Sequence, residues 1–204
     1  MWLTNRMPRD ELPVLGFEDS AAWEAWLAGQ YAASPGAWLK IPKKNPGPAP
    51  AAAGVSYPDA LAVALCYGWI DGQKAGLDDD YWLQRFTPRK PGSRWSKINT
   101  EKAAELIETG RMQPAGLREV ERARADGRWD AAYAGQRTMA VPPDLERALA
   151  GNEAAHAFFA TLSGANRYAI LYRIADAKRP QTRARRIEKY VAMLAAHETI
   201  HPQA

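Results

Sequence analysis

Residues 68–99, GWIDGQKAGLDDDYWLQRFTPRKPGSRWSKIN, constrain the fold more than any other part of the chain. WIDGQ and YWLQRF both alternate with the two-residue period of a strand. AGLDDD between them carries the glycine and aspartates of a turn, so the pair reads as an antiparallel hairpin. Thr87-Pro88 ends the second strand, because proline has no N–H to give a ladder. A third strand is expected at residues 37–41, AWLKI, between the Ser34-Pro35-Gly36 turn signal and Pro42. Within residues 81–86, alternation puts Trp82 and Phe86 toward the core and Arg85 on the opposite face.

Helical periods surround these strands. AAWEAWLAGQ follows the N-cap residues Asp19 and Ser20 and spaces Trp23, Trp26 and Leu27 on one face. YPDALAVALCY follows Ser56, is apolar on most sides and therefore reads as buried, with Gly68 at its C-terminus. TEKAAELIET is expected to be capped by Asn99 or Thr100 and stopped by Gly110, and AGLREVERARAD turns Leu117 and Val120 inward. From Pro142 onward the pattern is wholly helical. The expectation is an α+β protein: a small antiparallel sheet packed against helices, followed by a C-terminal helical bundle. Residues 1–16 form an extended lead-in, residues 17–135 the α+β domain, and residues 136–204 a bundle packed on it. PKKNPGPAPAAAG, opened by Lys43 and Lys44, is too rich in proline and glycine for a regular element.

Composition excludes several classes. The chain has 204 residues, 47% of them apolar, with a net charge of +4. That is enough for a packed core and mildly favourable to an anionic partner. A single cysteine, Cys66, forbids an internal disulfide and fits a reducing compartment. The N-terminal run is charged throughout, unlike a secretory signal, and no window nears the ~18 apolar residues of a membrane span. The reading is cytoplasmic, without membrane insertion.

The chemistry is sparse. His197 and His201 stand four apart, but no cysteine or carboxylate pair completes a metal set, and Asp78, Asp79 and Asp80 lack the spacing of a calcium loop. No nucleophile elbow, Walker motif or dinucleotide glycine pattern occurs. No metal or cofactor is expected. What remains is a cationic set around the hairpin: Arg85, Thr87, Arg89, Arg94, Ser96 and Asn99, beside a helix N-terminus. A guanidinium fork and free helix N–H groups suit a carboxylate or phosphate, and Asp71 could orient one of the arginines. The same residues also fit an internal Asp71–Arg85 ion pair with Asn99 as a simple cap. A second basic set, Arg173, Lys178, Arg179, Arg183, Arg185 and Arg186, reads as a solvated helix face.

Several runs recur together in a known order. GWIDG at 68–72 is followed by RFTPRK at 85–90, WSKIN at 95–99, GRMQPAG at 110–116 and RIADAKRPQTRARRI at 173–187. Over residues 17–197 this set resembles the bacterial YdeI/OmpD-associated family, also described as bacteriocin-protection proteins. The resemblance implies a role in antimicrobial-peptide or envelope-stress resistance and an outer-membrane porin partner, with no catalytic residues to carry over. The expected function is therefore a non-catalytic accessory protein that binds an anionic small molecule or an acidic protein through the central arginine loop. The alternatives are a nucleic-acid-binding protein, which is less favoured, and an enzyme using Asp71 as a base.

Overall fold

The computed structural model describes residues 12–43 and 53–202. Lys44 and most of the proline-rich run lie outside the described residues, as does most of the N-terminal lead-in. The elements run β1 (Val14–Leu15), α1 (Ser20–Gln30), β2 (Ala37–Pro42), α2 (Tyr57–Cys66), β3 (Trp69–Gly76), β4 (Tyr81–Pro88), α3 (Lys97–Glu108), α4 (Pro114–Ala125), α5 (Pro143–Ala150), α6 (Glu153–Ala160), α7 (Gly164–Ala175) and α8 (Pro180–Ala195). The class is α+β. The chain forms two compact units, Met1–Ala132 and Tyr133–Ala204.

In the first unit the strands lie in the order β1-β2-β4-β3. The expected hairpin is β3–β4, and β2 pairs antiparallel with β4. The sheet is not purely antiparallel. Val14 and Leu15, expected to belong to an extended lead-in outside the sheet, pair parallel with Trp38 and Leu39. Two residues carry too little period to show in sequence.

One face of the sheet carries Ala37, Leu39, Ile41, Gln84, Phe86 and Trp69, all buried. Helices α1 and α2 supply the other half of this core through Trp23, Leu27, Leu61 and Leu65. Trp23 is fully buried, and its indole N–H donates to the Ala60 carbonyl at 3.1 Å, so its polar atom carries no desolvation cost. Gly68 ends α2 with φ +74°, a backbone state that favours glycine. Trp82 packs against the core but stays partly exposed.

Strand β3 carries a β-bulge. Asp71 pairs with Phe86 and Lys74 with Gln84, so Gly72 and Gln73 together face one residue, Arg85. The buried Gln84 amide donates to the carbonyls of Gly72, Gln73 and Arg85 at 3.0, 3.2 and 3.1 Å and so holds the bulge. Because of the extra residue, Asp71 and Lys74 share the core-side face.

The second unit packs α5 to α8 around Leu145, Leu149, Phe159, Ile170, Ile174 and Leu194. Asn152 and Ser163 cap α6 and α7, accepting from Ala155 N at 3.0 Å and Asn166 N at 3.3 Å. Part of the C-terminal basic set is engaged rather than solvated. Arg183 donates to the Ile174 carbonyl at 3.0 Å, and Arg186 to the Arg173 carbonyl. These are carbonyls of the last turn of α7, where Ile174 O also accepts from Ala177 N at 3.2 Å. Arg183 also forks onto Asp144 at 2.6 and 2.8 Å, which holds the Asp144 carboxyl below its ordinary pKa.

Candidate functional site

The candidate residues singled out in the sequence fall in three places. Arg85 and Thr87 lie on the sheet face away from α1 and α2, where Trp38 opposes Arg85 in the ladder. Arg85 is part-buried, and its Nε is buried without a hydrogen-bond partner among the described residues.

Asp71 is on the other face, because it pairs with Phe86. Its carboxylate accepts from the Tyr57 hydroxyl at 2.8 Å. The expected Asp71–Arg85 partnership is therefore corrected: the register of β3 on β4 puts the two side chains on opposite sides of the sheet.

The third group lies on the loop from Pro88 into α3. Arg89 is 6% exposed and stacks its guanidinium 3.5 Å from the centroid of Trp95. It donates to the Arg94 carbonyl at 3.3 Å, while its backbone N–H donates to Gly68 O at 3.0 Å. Arg89 thus ties the loop to the end of α2 and to a buried indole. Trp95 in turn packs 5.1 Å from Trp129.

Ser96, not Asn99 or Thr100, caps α3, accepting from Asn99 N at 3.2 Å. The helix begins three residues earlier than its apolar period shows, since Lys97 and Ile98 are exposed and carry no inward signal. Asn99 is buried inside the first turn. Arg94 is part-buried just before the cap.

Arg89 also borders a cleft of about 130 Å³ with Tyr31, Tyr67, Gly68, Arg118 and Glu119. Arg118 comes from α4, a helix with no side-chain cap at its N-terminus, and Glu119 is paired with Arg122 at 3.0 Å. Burial pushes the Tyr67 hydroxyl above its ordinary pKa, with Glu24 and Cys66 adding to the effect, so it stays protonated and able to donate. Sequence reasoning missed Tyr31, Tyr67 and Arg118. Arg118 sits among other arginines of an amphipathic helix, and only the packing of α4 beside α2 distinguishes it.

Among the described residues no group of three or more His, Cys, Asp or Glu could hold a metal ion. No described helix is long and apolar enough to cross a membrane.

Comparison with known proteins divides the chain similarly. Residues 138–197 match the family described as Bacteriocin-protection, YdeI or OmpD-Associated. The motifs at 68–116, which contributed to the resemblance, fall within residues 15–119, matched by a domain of unknown function, DUF8412. No curated protein and no solved structure matches the chain. Residues 15–119 are just over half of the 204, so the chain belongs to the DUF8412 family, and it carries a YdeI/OmpD-associated, bacteriocin-protection domain at its C-terminal end.

Proposed function

We propose that this is a cytoplasmic, non-catalytic accessory protein of the YdeI/OmpD-associated type, acting in antimicrobial-peptide or envelope-stress resistance by binding an acidic ligand or partner. The observation that carries this reading is the cleft beside the central arginine loop, where Arg89 and Arg118 meet Tyr31 and Tyr67. At about 130 Å³ it is too small for a drug-sized molecule and suits a carboxylate or phosphate group. Of the residues expected to bind, Arg89 lines this cleft, while Arg94, Ser96 and Asn99 build the loop behind it. Arg85 and Thr87 offer a second cation on the sheet face. Nucleic acid is the weaker reading, because Arg183 and Arg186 are committed to the α7 carbonyls.

Titration calorimetry with a glutamate-rich peptide and with inorganic phosphate tests the proposal. Arg118 is exposed, so Arg118→Ala should leave the melting temperature nearly unchanged and weaken binding about tenfold, the loss of one charge-assisted contact. Loss of binding in Arg85→Ala but not in Arg118→Ala would move the site to the sheet face. Absence of binding by the unmodified chain removes the anion reading altogether.

A further inference from the structure

The core-side face of the hairpin carries a second cluster, of opposite preference. Lys74 Nζ lies 4.7 Å from the Trp82 ring centroid and 5.2 Å from that of Tyr57. The two rings are 5.8 Å apart and tilted by 48°, so they form a corner rather than a stack. The Tyr57 hydroxyl donates to Asp71 at 2.8 Å, which sets a carboxylate at the edge of the corner. Two ring faces and a carboxylate all favour positive charge.

We propose that this corner is a binding site for a methylated ammonium group, and that Lys74 occupies it in the free protein. Lys74 is exposed, and among the described residues its ammonium is held there by ring contacts without an ion pair to Asp71. A primary ammonium is compact and strongly hydrated, and it exchanges readily between the rings and water. A quaternary ammonium spreads the same charge over methyl groups, needs no hydrogen bonds and covers both rings. The bulge makes this arrangement available, because in a regular strand two residues three apart, such as Asp71 and Lys74, would point to opposite faces.

Calorimetric titration of the full chain with tetramethylammonium chloride, at ionic strength held with sodium chloride, tests the site. The expected result is weak saturable binding that becomes about two- to fivefold tighter in Lys74→Ala, the equivalent of one surface cation–π contact. Trp82→Leu in that background should abolish binding, and tert-butanol, a neutral molecule of similar shape, should give none. The proposal is overturned if Lys74→Ala shows no saturable binding, if tert-butanol binds equally, or if folded Trp82→Leu binds unchanged. Should Trp82→Leu fail to fold, Asp71→Asn takes its place: weakened binding supports the site and unchanged binding overturns it.

Discussion

A Cβ placed on Gly116 would lie 2.4 Å from both the Cys66 carbonyl and the Met112 sulfur, and 2.6 Å from the Leu65 carbonyl. Two of these atoms are backbone of α2 and cannot step aside. Gly116→Ala should therefore destabilise the first unit by about 2–3 kcal/mol, the upper range for overpacking, read as a lower urea midpoint at unchanged slope. Cys66 lies on the same contact. Burial pushes its thiol up to about 11, so the native protein at pH 8 should resist iodoacetamide and react only when unfolded. Rapid native labelling would contradict that burial. At this scale the sequence is legible where the environment is local: Cys66 inside an apolar helix and Phe86 inside an alternating strand are both core residues. It is not legible where the environment depends on strand register. Asp71 and Arg85 are both plausible partners as residue types, and only the pairing of Asp71 with Phe86 separates them.

Ser96 and the bulge of β3 act on whole elements. Ser96 supplies a side-chain acceptor that satisfies an N–H of the first turn of α3. Ser96→Ala should cost about 1 kcal/mol, while Thr100→Ala should cost distinctly less, because Thr100 donates to Lys97 O rather than accepting a first-turn N–H. Equal losses in thermal melts would reject this assignment. The hairpin, β2 and the helices were legible because each spans several periods between turn signals. The edge strand β1 and the true start of α3 were not, since β1 rests on backbone pairing over two residues and the first residues of α3, Lys97 and Ile98, are exposed and carry no inward signal. The role of Arg183 and Arg186 was hidden for a similar reason. In sequence they belong to a charged helix face, and in the fold they finish the neighbouring helix.

For the whole molecule, the two units hold separate cores. The polar anchors of the first include the Gln84 amide, the Trp23 indole and the buried Arg89 guanidinium. The second depends on the Asp144–Arg183 fork, which joins α5 to α8 and, through Ile174 O, to α7. The Asp144 carboxyl titrates below its ordinary value because of Arg183. A folded-state pKa depressed in this way contributes stability that is fully present above the unfolded value and lost as pH falls through the folded one. Helical signal from the second unit should therefore weaken on acidification below about pH 4. Asp144→Asn should cost about 1 kcal/mol at neutral pH, the pair being partly exposed, and should flatten the acid response. An unchanged acid profile in Asp144→Asn would assign that response to other carboxylates.

The bulge also governs where the chain can change length. Removing Gln73 would leave Gly72 alone opposite Arg85, with Asp71 still facing Phe86 and Lys74 still facing Gln84. Every other ladder partner would keep its place, and the strand would become regular. Removing Ala75 would instead displace Gly76 from Trp82 and force the hairpin tip to re-form. Within β3, one-residue deletions should thus be accepted at the bulge and rejected two positions later, which makes Gly72-Gln73 the hairpin's tolerated point of insertion and deletion among related sequences.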